Sequence, residues 1–381
     1  MSSLTNPVLR ARELGQSIWY DDLSCELLDS GRLADMVRED GLGGVTTNPA
    51  IFEKAIAHGP GYDGAIAALV RAGVTDPAAI CRALMVADVR RAADVLSPVY
   101  RSSGGVDGYV SLEVPPDLAQ DAAGTVNAAR QLAALVDRPN LMIKVPATLP
   151  GLAAIEQLTG EGFNVNATLI FAVETYLCVA EAYQRGLEAR LAAGPGIARI
   201  SSVASFFVSR IDTAVDALLQ ERIGRCSDGP GRECLRVLLG QAAIASARIA
   251  YGEYRMLLET PRWEALAARG ARPQRLLWAS TGTKNPAFGP ARYVDELVGA
   301  GTVNTMPGPT YAAFRGGVVP QAHLEGGVKI ATAMMDGLAA AGISMQAVTD
   351  RLLGDGLGLF VRAQQRLLEA IARKVPELVA A

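Results

Sequence analysis

The chain has 381 residues, of which 50% are hydrophobic, which gives the length for two domains or one large barrel and the apolar content for a sizeable core. Its 36 Lys and Arg against 39 Asp and Glu leave a formal net charge of −3; no basic run marks a nucleic-acid or membrane footprint, and a small molecule is the expected partner. The stretch from Met1 to Arg12 lacks the apolar core of a signal peptide and the later apolar runs are interrupted by charges, so a soluble cytoplasmic protein is expected.

Ser17-Ile18-Trp19-Tyr20 is a short apolar and aromatic run ending in Asp21-Asp22, as in a buried strand that emerges at its C-terminal edge. Leu33, Met36 and Val37 recur at helical spacing up to Gly41, a C-terminal cap, and Gly44-Val45-Thr46-Thr47 is a second strand closed by Asn48-Pro49. Residues 50 to 107 are mostly helical and supply an insertion plus the second crossover helix. Tyr109 to Val114 is the third strand, stopped by Pro115-Pro116, and Leu132, Ala133 and Val136 line the helix before a fourth strand at Leu141 to Pro146.

A helix over 151 to 159 is expected to end at Gly160, followed by a fifth strand from Phe163 to Ile170 and a helix marked by Tyr176, Ala180, Tyr183 and Leu187. Ile200 to Phe207 is the sixth strand, Leu276 to Ser280 the seventh and Thr302 to Met306 the eighth, with a Gly/Cys/Asp loop near 224 to 233 breaking the long helical region between the sixth and seventh. Eight apolar strands alternating with helices favour a closed α/β barrel, the (β/α)8 or TIM barrel, over an open doubly wound sheet. No Gly-x-Gly-x-x-Gly follows the first strand, as a dinucleotide-binding sheet requires. The domain reading is a barrel over residues 1–321 with a helical insertion at about 50–107, and a C-terminal helical extension over 322–381 packed on it. That extension is expected either to cover the barrel mouth or to pair two subunits.

The fourth strand carries the one charge that needs a reason. Lys144 sits between Ile143 and Val145, close to the terminating Pro146. A free lysine amine titrates near 10.4, whereas burial lowers that value and frees the nitrogen to attack a carbonyl. The other reading is a structural lysine paired with a carboxylate on a neighbouring strand. In a barrel, reactive groups come from the C-terminal ends of the strands, and reading those ends in order gives Asp21, Asn48, Glu113, Lys144, Asn166 with Thr168, Ser205 with Arg210, Ser280 with Lys284, and Asn304. Two carboxylates beside an amine suit the proton transfers of Schiff-base chemistry, and amides can fix hydroxyl groups without titrating. Arg210 and Lys284, just beyond late strands, are placed to bind a phosphate.

Other chemistries lack material. Cys25, Cys81, Cys178, Cys226 and Cys234 form no C-x-x-C pair and read as reduced thiols, mostly buried. With only His58, in a Gly-Pro-rich surface stretch, and His323, neither a Ser-His-Asp triad nor a multi-histidine metal site is expected. Gly282-Thr283-Lys284 lacks the Walker spacing.

Gly44-Val45-Thr46-Thr47-Asn48-Pro49, Ser111-Leu112-Glu113-Val114, Ile143-Lys144-Val145-Pro146-Ala147-Thr148, Asn164-Val165-Asn166-Ala167-Thr168-Leu169 and Trp278-Ala279-Ser280-Thr281-Gly282-Thr283-Lys284-Asn285-Pro286 together resemble the transaldolase family, in order and along most of the first 310 residues, and most closely its longer bacterial branch. The resemblance implies a class I barrel enzyme of the non-oxidative pentose phosphate pathway that needs no metal or organic cofactor. Such an enzyme moves a dihydroxyacetone unit from sedoheptulose 7-phosphate to glyceraldehyde 3-phosphate, yielding erythrose 4-phosphate and fructose 6-phosphate. By the same resemblance Lys144 is the Schiff-base lysine, and Asp21 takes and returns the proton of the donor's C4 hydroxyl. Glu113 works through a water held also by Thr168. Asn48 and Asn166 hold the dihydroxyacetone hydroxyls, Ser205 and Arg210 lie near the acceptor and phosphate, and Lys284 is a further phosphate contact. Asp21 is preferred to Asp22 because a one-residue shift turns the side chain to the other face.

The resemblance leaves two rivals. One is an aldolase of the same superfamily that releases free dihydroxyacetone; such members tend to place a tyrosine where this chain has Phe207, and an apolar ring there favours transfer. The other is a non-catalytic barrel that binds sugar phosphates, which a missing lysine or carboxylate would support. A monomer or a homodimer is expected.

Overall fold

The eight apolar runs become the eight strands of one closed barrel. In the computed structural model, which describes residues 6–57 and 59–379, β1 (Gln16–Tyr20), β2 (Gly44–Thr46), β3 (Tyr109–Glu113), β4 (Leu141–Pro146), β5 (Val165–Ile170), β6 (Ser202–Phe207), β7 (Arg275–Ala279) and β8 (Thr302–Met306) pair in chain order, all parallel, with β8 closing on β1. Every strand residue but Arg275 is buried, because side chains inside the barrel pack on one another and those outside pack under helices. The (β/α)8 architecture expected from the pattern is therefore the observed one. His58 lies outside the described residues.

Local chemistry explains where the strands start and stop. β5 begins at Val165 and not at Phe163, because the Asn164 side chain takes up the ladder's partners: its Nδ2 donates to the Pro139 and Leu141 carbonyls and its Oδ1 accepts from the Ser201 amide. That last bond also keeps Ile200 and Ser201 out of β6. β7 ends at Ala279 because Ser280 takes the left-handed conformation, at φ +55°. The helix after β4 runs Leu149–Glu161 and is capped by Gly162 at φ +97°, two residues beyond the expected Gly160. Gly160 instead stays helical and lets the next helix (Val173–Ala192) pass close, where Gly186 would put a Cβ 2.6 Å from the Glu156 carbonyl.

Between β6 and β7 the expected loop shrinks to residues 226–228, after which Asp228 caps a helix at Gly229–Val237 through the Gly231 amide. That helix buries none of its residues, so it shows no core-facing period. It also carries Cys234; Cys178 is exposed too and only Cys25 and Cys81 are buried, so the thiols are not mostly buried.

The floor of the barrel, at the N-terminal ends of the strands, is sealed by charge. Asp107 accepts from Ser17 Oγ at 2.6 Å and from Trp19 Nε1 at 3.2 Å, and Arg275 reaches both Ser17 Oγ (2.7 Å) and Asp107 Oδ1 (2.9 Å). At the other end, two segments meet over the mouth. After β2 come a short helix (Pro49–Phe52), a π-helical turn (Glu53–Ala57) and helices Asp63–Arg71 and Pro77–Ser102. From the far end of the chain comes helix Met345–Val379, whose Arg366 bonds Glu53 through two nitrogens at 3.1 Å and whose Lys374 bonds Asp63 at 2.6 Å. Among the described residues no single helix is long and apolar enough to cross a membrane.

Candidate active site

The register of parallel strands decides which polar side chains share a level. Glu113, Lys144 and Asn166 are successive register partners across β3, β4 and β5, so all three point the same way. All are buried. Lys144 Nζ donates to the Thr47 carbonyl at 3.0 Å and lies 3.4 Å from Glu113 Oε2. On its other side Asn166 is oriented by two hydroxyls, donating to Ser111 Oγ at 3.0 Å and accepting from Ser205 Oγ at 2.7 Å.

A cavity of about 450 Å³ opens above this layer, at the C-terminal ends of the strands, where a barrel carries its reactive groups. Asp21, Asn48, Lys144, Ser205, Arg210 and Lys284 all line it. Glu113 reaches it only through Lys144, and Asn166 through Ser205. Thr168, two residues beyond Asn166 on the same face of β5, is buried with its hydroxyl unpartnered within the described chain, as are both Glu113 carboxylate oxygens apart from their ion pair with Lys144. Asn48 commits its side-chain oxygen to the Ala50 and Ile51 amides as the cap of the next helix, which leaves its NH2 group to donate into the cavity.

Burial sets the electrostatics. Glu113 also borders a mostly apolar chamber of about 150 Å³ walled by Phe52, Cys81, Met85, Leu132 and Leu367. That desolvation pushes its carboxyl up to about 7 against the opposing pull of the Lys144 ammonium. Asp21 is raised as well, by burial first, while Lys144 and the 2.6 Å hydrogen bond from Thr46 Oγ1 hold it down. Both carboxyls are thereby moved toward the pH range where a group can both take and return a proton. Arg210, half-buried beneath the C-terminal helix, has its guanidinium 5.6 Å from the centre of the Phe207 ring. Lys284 is exposed at the rim.

Three cavity residues escaped the sequence reading. Thr305 lines the wall where Asn304 was expected, because successive strand residues alternate faces; its hydroxyl lies 2.7 Å from Thr46 Oγ1. Lys54 reaches the rim from the π-helical turn, 4.0 Å from Asp22; a cation one helical turn past a strand end was the available signal. Phe360 comes from the C-terminal helix, its ring centre 5.9 Å from Lys144 Nζ. In sequence it is one apolar helical position among several, and nothing local distinguishes it. Ser280, also on the wall, holds its left-handed conformation with its carbonyl on the Ser209 amide. Among the described residues no group of three or more His, Cys, Asp and Glu side chains is arranged to hold a metal ion.

The family model described as transaldolase/fructose-6-phosphate aldolase matches residues 18–371. A protein named transaldolase 2 from Nostoc sp. is 46% identical over 373 residues, 97% of this chain and 98% of the relative. Transaldolases from Thermobifida fusca and Thiobacillus denitrificans are 45% and 47% identical, over 97% and 94% of this chain and 98% and 97% of their own lengths.

Proposed function

The chain belongs to the transaldolase/fructose-6-phosphate aldolase family, and we infer from that membership and from the chemistry of its mouth cavity that it is a transaldolase of the non-oxidative pentose phosphate pathway. It transfers a dihydroxyacetone unit from sedoheptulose 7-phosphate to glyceraldehyde 3-phosphate, giving erythrose 4-phosphate and fructose 6-phosphate. The single observation that carries the reading is a buried amine, Lys144 Nζ, 3.4 Å from Glu113 and opening on a cavity that Asp21 also lines.

Lys144 is the nucleophile. Its nitrogen adds to the donor's C2 carbonyl, and loss of water gives an iminium whose nitrogen accepts the electrons released when the C3–C4 bond breaks, so no metal or organic cofactor is needed. Glu113, titrating near 7 and beside that nitrogen, serves the proton transfers of addition and dehydration. The unpartnered Thr168 hydroxyl and Glu113 oxygens are the groups that share the water carrying those protons. Asp21, raised by burial, removes the C4 hydroxyl proton on cleavage and returns it after transfer.

The amides fix the fragment. Asn48 offers its free NH2, and Asn166 one N–H beyond those bound by its neighbours. Arg210 and Lys284 face the phosphate end. Phe207 favours transfer over release: it is buried on the cavity wall, 5.2 Å from Phe171 between ring centres, and gives a water no donor.

The test is intact mass after incubation with fructose 6-phosphate and borohydride, followed by peptide mapping. A dihydroxyacetone-sized adduct on Lys144, chased when erythrose 4-phosphate is added before the reductant, is the expected result. Absence of the adduct from protein that still binds the sugar phosphate would overturn it.

A further inference from the structure

The fold delivers to the active site a side chain from the end of the chain farthest from the strands that carry the reactive groups. Phe360, on helix Met345–Val379, is 3% exposed, lines the mouth cavity and lies with its ring centre 5.9 Å from Lys144 Nζ. The helix is held on both sides of this residue. Toward its C-terminal end, Arg366 and Lys374 bind Glu53, the Ile56 carbonyl and Asp63. Toward its N-terminal end, Gly356 sits on Leu169 of β5, where a Cβ would lie 3.0 Å from the leucine Cδ2. Leu169 itself is left-handed at φ +59°, in the register shift of β5. A helix pinned at both ends and brought this close has little freedom to lift the ring.

We propose that Phe360 is a specificity-determining residue, its ring closing the cavity over Lys144 so that the bound dihydroxyacetone unit passes to an aldehyde and is not released to water. The inference rests on the transaldolase reading above. After cleavage the fragment is an enamine on Lys144, and release requires two events that transfer does not. A proton must add to the nucleophilic carbon to regenerate the iminium. Water must then add across the C=N bond, the carbinolamine collapsing to free ketone and free amine. A buried aromatic face beside the nitrogen supports its positive charge and offers a water no hydrogen bond. Phe207 has a different station, between Phe171 and the Arg210 guanidinium, so the two rings guard the phosphate side and the amine side separately.

The experiment measures, with fructose 6-phosphate as donor, the ratio of dihydroxyacetone released to fragment transferred to erythrose 4-phosphate. Wild type is compared with Phe360→Ala, Phe360→Leu and Arg366→Gln, each protein first checked by thermal melting and by borohydride labelling of Lys144. Phe360→Ala is expected to raise the ratio about tenfold and Phe360→Leu, which keeps the volume but not the π face, about threefold. Arg366→Gln, which touches no cavity residue but loosens the helix from Glu53, is expected to raise it in the same direction by less. Should Phe360→Ala fail to fold, the other two carry the test. Ratios within about twofold of wild type in folded, Lys144-labelled Phe360→Leu and Arg366→Gln would overturn the proposal. A wild type that is never labelled on Lys144 would instead overturn the transaldolase reading itself.

Discussion

Glu113 and Lys144 are direct register partners on β3 and β4, and their charged ends meet 3.4 Å apart with both side chains almost wholly buried. The pair sits where the barrel cannot hydrate it, and burial dominates the glutamate, raising it to about 7. kcat/KM for transfer is therefore expected to rise with pH through about 7 as Glu113 ionises. Glu113→Gln should lose that limb and lower kcat by about a hundredfold. A pH profile of the variant that keeps the same limb would assign it to another group.

The same shift couples to folding. Between the ordinary glutamate value of 4.5 and about 7 the native state holds a proton that the unfolded chain has already released. Stability from this group is thus fully present below 4.5 and is lost as pH rises through about 7. Urea unfolding at several pH values is expected to show a decline over this window in wild type that is shallower in Glu113→Gln.

Thr46 is a lever on Asp21. Its hydroxyl donates to Asp21 Oδ1 at 2.6 Å and so accepts from Thr305, 2.7 Å away. Hydrogen bonding to the charged form lowers a carboxyl pKa, and Thr46→Val removes that bond without touching Asp21. The variant's kcat is expected to fall near neutral pH and to recover, in part, about one pH unit higher. Recovery shows in the kcat profile at saturating donor, and a profile parallel to wild type at every pH would remove Thr46 from the proton path.

The cations on the rim should divide by burial. Arg210 is half-buried and Lys284 exposed, so Arg210→Ala is expected to raise KM for glyceraldehyde 3-phosphate by about tenfold or more and Lys284→Ala by about threefold. Neither change should alter turnover of unphosphorylated glyceraldehyde. Equal losses on both acceptors would mean that the side chains hold the loop and not the phosphate.

How far the sequence foretells this arrangement depends on whether the signal is local. β8 was read to the residue, since Thr302 to Met306 is apolar, β-branched and stopped by Pro307-Gly308-Pro309. The ends of β5 and β6 were misjudged because one side chain, Asn164, replaces backbone partners there, and such substitution leaves no mark in hydrophobic period. Lys144 was conspicuous as a charge inside an apolar strand. Thr305 was missed for Asn304 because polarity alone does not say which face of β8 points inward, and both residues are buried. Phe360 was invisible for a deeper reason: its helix contributes to the cavity through contacts with segments some 190 to 310 residues away in sequence, such as Leu169 and Glu53.

The opposite end of the barrel offers a contrast that separates stability from chemistry. Asp107 joins Ser17, Trp19 and Arg275 beneath the strands, with the Arg275 and Asp107 side chains only 14% and 13% exposed. Asp107→Ala leaves a guanidinium, a hydroxyl and an indole N–H short of their partner in a site too closed for water to replace it fully. Removing one member of a buried pair costs about 3 kcal/mol or more, and the variant is expected to unfold at lower urea by that margin with an unchanged slope. Because the bottom face of such a barrel serves stability and the top face serves reaction, kcat of the folded fraction should stay within about twofold of wild type. A large loss of kcat in fully folded Asp107→Ala would mean that strain at the floor travels up β1 and β7 to Asp21 and Ser280. The barrel would then transmit force along its strands, and the two faces could no longer be treated as independent.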